Sequence, residues 1–114
     1  MKKTNQKIKG ILDELLSNSF KAGATNIESK ITSKDNKHVV YVKDNGKGME
    51  SDILEKAKEK LGQPRRDELE DYYGDLAGIA ARNSGLTIVG MMIDDYVLIS
   101  EPGKGTEITV IIDK

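Results

Sequence analysis

The sequence predicts an α+β two-layer sandwich: a mixed, mainly antiparallel sheet with its helices on one face. Two observations carry this prediction. Segments with β-type patterning are grouped, a pair early in the chain and three at its end, rather than alternating one by one with helices. Elsewhere, apolar residues recur at three- and four-residue spacing, the mark of helices with one buried stripe each. The 114 residues suit one domain, residues 1–114, and a hydrophobic share of 37% is enough for a single core. Aromatic residues are only 4%, so that core rests on Ile, Leu, Val, Met and Ala.

The first helix is marked by Ile8, Ile11, Leu12, Leu15, Leu16 and Phe20, with Gly23 as its stop. Its lysine-rich start (Lys2, Lys3, Lys7, Lys9) reads as a solvated face. Two strands follow, Ile27 to Thr32 and His38 to Val42, joined by the polar link Ser33 to Lys37, so a hairpin is expected. Val40 and Val42 alternate with Val39 and Tyr41, which suggests a strand buried on both sides. After a glycine loop, Ser51 is a candidate cap for a second helix with the stripe Ile53, Leu54, Ala57 and Leu61. Gly62 to Tyr73 is polar, contains Pro64 and reads as a mobile segment. Gly74 to Ala81 reads as a glycine-punctuated turn opening into a helix of small residues. The remainder reads as strands at Leu86 to Ile93, Tyr96 to Ser100 and Thr106 to Ile112, with turns at Asp94-Asp95 and Pro102 to Gly105. These three strands are expected to form an antiparallel meander.

Composition narrows the chemistry. With 18 basic and 19 acidic residues the formal net charge is -1, so no broad field for nucleic acid is indicated. There is no cysteine, which excludes disulfide scaffolds, thiolate zinc sites and cysteine nucleophiles. No apolar run approaches the ~20 residues that span a bilayer, and the first ten positions lack the apolar core of a signal peptide. A soluble, cytoplasmic protein without membrane contact is expected. His38 falls in a strand and reads as an edge residue.

Four groups of residues could carry chemistry. Gly46 and Gly48 allow backbone angles and ligand approach that a Cβ would forbid. Asp44, where a strand ends, can accept a hydrogen bond from an amino group such as that of adenine, although Asp-Asn-Gly is also an ordinary turn sequence. Glu14 and Asn18 lie one helical turn apart, on one face that flanks the apolar stripe. An amide oxygen suits Mg²⁺, and a neighbouring carboxylate suits polarisation of water toward a phosphoryl group; a solvated helix flank has the same composition. Gly74 to Gly78, before a helix, offers backbone N–H groups to a phosphate, or is simple loop punctuation. Thr106, after Gly105, can hydrogen-bond a base or a bridging water, or serve as an ordinary strand residue.

Their joint order resembles the GHKL family of ATP-binding domains, which includes gyrase, the Hsp90 chaperone, histidine kinases and the MutL repair protein. Glu14-x-x-x-Asn18 resembles the family's Asn-bearing helix, and Asn18 to Ile27 is similar to the MutL version. Asp44 to Met49 resembles the acid–glycine box, Gly74 to Gly78 the second glycine box, and Pro102 to Val110 the terminal Gly-Thr strand. The resemblance implies the Bergerat ATP-binding fold, with ATP and Mg²⁺ as cofactors. It implies Asn18 as Mg²⁺ ligand and Glu14 as the group that orients or activates water. Asp44 would bind the adenine amino group, with Thr106 beside it. Gly46 and Gly48 would shape the adenine pocket and Met49 line it. Gly74, Leu76, Ala77 and Gly78 would approach the phosphates, and residues 62–73 would form a lid.

The expected function is therefore a stand-alone, Mg²⁺-dependent ATP-binding domain with slow ATPase activity, acting with a protein partner. Hydrolysing relatives use a basic residue from a further domain, and the chain reaches Lys114 directly after its final strand. The alternatives are a kinase module resembling a histidine kinase or an anti-sigma factor, and a nucleotide-gated interaction module presenting Tyr72 and Tyr73.

Overall fold

In α1 (Lys2–Lys21) the buried stripe runs Ile8, Ile11, Leu15 and then Ser19, each step three or four residues on. The computed structural model describes residues 2–62 and 85–113. Phe20, expected on the stripe, is 68% exposed. It continues the flanking line Leu12–Leu16, which is only half-buried, and turns outward one position past Ser19. Lys7, expected in solvent, is buried, because it lies four residues before Ile11 on the same side of the helix. The helix ends on Gly23 at φ +77°. Ala24 N–H donates to Ser19 O at 3.2 Å and Gly23 N–H to Phe20 O at 3.0 Å, the paired bonds of a Schellman turn.

The hairpin is longer than expected: β1 (Ile27–Lys34) and β2 (Lys37–Asp44) are joined by Asp35 and Asn36 alone. Asp35 takes φ 54°, a left-handed conformation that Asp tolerates in a two-residue turn. Ser33 and Lys34, assigned to the link from their polarity, pair with His38 and Lys37 instead. After the glycine loop, α2 (Ser51–Leu61) begins with Ser51 as its first helical residue. The cap position is Glu50, in extended conformation and without a side-chain cap bond, so the expected cap was one residue late. Ala57 and Leu61 are buried as expected, while Ile53 is exposed toward the cleft described below.

The largest departure is at Gly85–Met92, which forms a helix, α3, rather than a strand. An apolar run of this length has no period that separates the two states. As a helix it buries Ile88, Val89 and Met92 on one side, and Gly90 lies against α2. A Cβ at Gly90 would run into Lys60 O and come within 2.9 Å of Leu61 Cα. The expected C-terminal meander is thus a single hairpin of β3 (Asp95–Glu101) and β4 (Gly105–Asp113).

The four strands lie in the order β1-β2-β4-β3, and all three pairings are antiparallel, so the described sheet is not mixed. On the core face, Val40 stands opposite Val110 and Val42 opposite Ile108, with Leu98 beyond. The helices occupy that face: α1 packs on β2, α2 on β3, and α3 against both helices. The other face carries Val97 and Ile99, both exposed, with Val39, Tyr41 and Ile111 half-buried. β2 is therefore buried on one side only, contrary to expectation. On this outer face, partial burial and a hydrogen bond to Glu107 push the Tyr41 phenol above its ordinary 10.0. No described helix is long and apolar enough to cross a membrane. The segment expected as lid and the glycine box at 74–78 lie outside the described residues, apart from Gly62, which ends α2.

Gly90→Ala is expected to destabilise the protein by about 1–3 kcal/mol, because backbone atoms of α2 must move to admit the methyl group. Urea unfolding would register this as a lower midpoint at unchanged slope.

Candidate nucleotide site

Asp44 ends β2 with its side chain on the core face, 8% exposed, where an unsatisfied carboxylate would be costly. Three donors meet it. Ser19 Oγ–H donates to Oδ2 at 2.7 Å, Gly46 N–H to Oδ1 at 2.9 Å, and Thr106 N–H to Oδ1 at 3.3 Å. They come from α1, the glycine loop and β4. Oδ1 is thereby filled by backbone, while Oδ2 accepts one hydroxyl and has capacity for one further donor.

The glycine loop is fixed on three sides. Asn45 Oδ1 accepts from Thr25 N–H and Asn26 N–H, both at 2.9 Å. Lys47 N–H donates to Ala22 O at 3.0 Å, and Gly103 N–H donates to Lys47 O at 2.7 Å. Gly48 sits at φ +72°, where a Cβ would overlap Glu101 O. Thr106 is tied sideways: Ser100 Oγ–H donates to Gly105 O at 3.1 Å and lies 2.8 Å from Thr106 Oγ1. With the Ser100 proton on Gly105, the Thr106 hydroxyl must donate to Ser100, which leaves its oxygen as an acceptor.

These elements enclose a cleft of about 560 Å³, within the size of a small-molecule site. From the C-terminal half of α1 it is lined by Glu14, Leu15, Asn18, Ser19 and Lys21, and from the turn that follows by Ala22. The glycine loop adds Asp44, Lys47, Gly48 and Met49, and α2 adds Ile53. Gly85 and Leu86 open α3 into it, and the sheet contributes Leu98, Thr106 and Ile108. Leu15, Met49, Ile53, Leu98 and Ile108 give apolar surface suited to a flat ring, with the Asp44 carboxylate among them.

Six of the sequence-predicted residues therefore meet in one cleft: Glu14, Asn18, Asp44, Gly48, Met49 and Thr106. Gly46 does not line it. It lies behind Asp44, donating its N–H, and a Cβ there would come within 2.8 Å of Ala22 Cβ. Gly74, Leu76, Ala77 and Gly78 lie outside the described residues. Ser19, Lys21, Lys47, Ile53 and the start of α3 were not anticipated. Ser19 was legible as the fourth position of the stripe Ile8–Ile11–Leu15, had polar residues been admitted to it. Glu14 also gains a neighbour: its carboxylate lies against Gly85, where a Cβ would overlap it.

Residues 4–114 match the family described as histidine kinase-, DNA gyrase B-, and HSP90-like ATPase. The chain belongs to this family. It is an ATP-binding domain of the GHKL type, as the joint order of its motifs implied. No curated protein matches its sequence.

Ser19→Ala is expected to cost about 1–3 kcal/mol of stability, since it removes a donor from a buried carboxylate oxygen. Denaturant unfolding checks this, and ATP affinity of the folded variant should fall with it.

Proposed function

We propose that this single domain binds Mg²⁺-ATP with the adenine amino group on Asp44 Oδ2, and hydrolyses it slowly with Glu14 directing the attacking water. The observation that carries this reading is the state of Asp44. Its Oδ1 is occupied by two backbone donors, and the acceptor capacity of Oδ2 borders an apolar-walled cleft. An exocyclic amine donates where a carbonyl at the same ring position would repel, so this arrangement favours adenine over guanine. The Thr106 oxygen, on the same strand row as Asp44, adds a second polar contact for the base or a bridging water.

Asn18 and Glu14 line the same cleft from successive turns of α1. One amide and one carboxylate form a donor set that fits Mg²⁺, which takes few protein ligands and completes its shell with phosphates and water. Asn18 Oδ1 would be its protein ligand, and the ion when bound offsets phosphate charge. Glu14 would hold a water by accepting its hydrogen bond, and take its proton as the water attacks. Its place beside Gly85 puts that carboxylate at the junction of α1 and α3. Lys21 and Lys47, also lining the cleft, supply positive charge for the nucleotide. Phosphoryl transfer depends mostly on positioning and charge, and an added basic residue is worth ~10³–10⁵ in rate. Faster turnover is accordingly assigned to a partner protein that contributes such a residue.

Asp44→Asn is expected to weaken ATP binding by about 1.5–3 kcal/mol, roughly tenfold or more, as a charge-assisted bond is lost. Calorimetric titration with ATP, with and without Mg²⁺, would show it; unchanged affinity would overturn the adenine assignment. Glu14→Gln should abolish phosphate release while ATP still binds. Hydrolysis at the original rate would remove Glu14 from the reaction, and labelled phosphate arriving on another protein would replace hydrolysis by kinase activity.

A further inference from the structure

The free edge of β1 is the least protected part of the described sheet. From Glu28 to Lys34 every residue of this strand is exposed. Ile31 stands on the core face in one row with Val40 and Val110, both fully buried, yet it is itself 46% exposed. The helices pack on β2 and β3, and the core row simply stops at Ile31.

The two-residue loop makes Lys34 and Lys37 the closing pair of the hairpin, so the even-numbered residues of β1 exchange backbone hydrogen bonds with β2. Asn45 N–H donating to Asn26 O at 3.3 Å continues this alternation. The N–H and C=O groups of Ser29, Ile31 and Ser33 therefore point away from the sheet, ready to pair with another strand.

We propose that the chain forms a symmetric dimer through this edge, β1 against antiparallel β1, with the twofold axis at Ile31. In this register Ile31 faces the second copy's Ile31, Ser29 faces Ser33, Lys30 faces Thr32 and Glu28 faces Lys34. All the outward backbone groups then find partners, and the row Val110–Val40–Ile31 runs unbroken into its copy. Charge selects the register. Shifting the axis to Lys30 sets Lys30 against itself, and shifting it to Thr32 sets Lys30 against Lys34, like charges directly opposed. Lys34 already stands opposite Lys37 within the hairpin, and the second copy's Glu28 offsets that repulsion. Neither Glu28 nor Lys34 makes an ion pair with another described residue. The other edge does not offer the same pairing. Self-pairing of β3 about Leu98 would set Asp95 against Glu101 at both ends.

The absence of native cysteine makes a direct test clean. Hydrogen-bonded antiparallel partners lie about 5.5 Å apart at Cα, inside the disulfide range. Full-length Ile31→Cys should therefore oxidise to a covalent dimer far faster than Ile99→Cys, which is similarly exposed. In sedimentation equilibrium, Glu28→Lys should weaken the wild-type dimer by about tenfold or more, since two attractive pairs become repulsive. Lys34→Glu alone should do the same, and Glu28→Lys with Lys34→Glu should restore dimerisation. Equal oxidation of the two cysteine variants would overturn the proposal. So would a wild-type chain that stays monomeric at all concentrations. Rescue of Glu28→Lys by Lys30→Glu in place of Lys34→Glu would overturn the register.

Discussion

The Asp44 carboxylate is the joint on which the rest of the structure turns. It is buried at the end of β2, and burial is tolerable only because three separate segments bring it donors. Meeting that requirement fixes much else. Ser19 must be the last buried position of α1, so the helix must end just beyond it. The left-handed turn at Gly23 then leaves Ala22 O for Lys47 N–H, and Ala22 itself packs against Gly46. β4 must reach Asp44 with Thr106, which sets its register on β2. Gly105, at φ +103°, permits that approach, since a Cβ would overlap Asp44 O. A ligand amine meeting Oδ2 finds an acceptor already held in place, so little ordering cost falls on binding.

The second dependence runs through α3. Glu14 faces Gly85, and the position of Gly85 is set by how α3 packs on α2 through Gly90. The polar end of the cleft is thus positioned by an apolar contact remote from it. A glycine at the helix crossing lets two backbones approach more closely than side chains allow. This also explains why α3 is a helix although its residues favour strands: packing against α1 and α2 outweighs a modest propensity difference.

That override marks the boundary of what the sequence made legible. Glu14 and Asn18 could be read together because one helical turn separates them. Asp44 could be read because a strand visibly ends in glycines. Both signals are local, and both place their residues in the cleft. Gly85 and Leu86 are about seventy residues from Glu14, and no periodicity reports a meeting made by tertiary packing. Ser19 was passed over for a different reason: a stripe read only from apolar residues extends to Phe20, whereas the geometric stripe ends on a polar residue that the buried acid requires. The hairpin loop is shorter than polarity suggests for the same reason: Ser33 and Lys34 are polar but lie on β1, which is exposed on both faces from Glu28 onward, and Lys37 is the exposed first residue of β2.

β1 is exposed for a reason built into the layers. α1 sits over β2 because Asp44 and Ser19 tie them together, and α2 sits over β3 with α3 wedged beside it. A helix is about 10 Å wide and strands are spaced about 4.8 Å, so the tie at Asp44 leaves the outermost strand beyond the helical layer. Anchoring α1 nearer β1 would cover Ile31 but would pull Ser19 and Asn18 away from Asp44 and the glycine loop. The constraint that assembles the cleft at one end of β2 is therefore the same one that leaves an apolar residue and a row of backbone groups uncovered on its neighbour. Site and edge share β2 but no lining residue, so a contact at β1 can form without occluding the cleft.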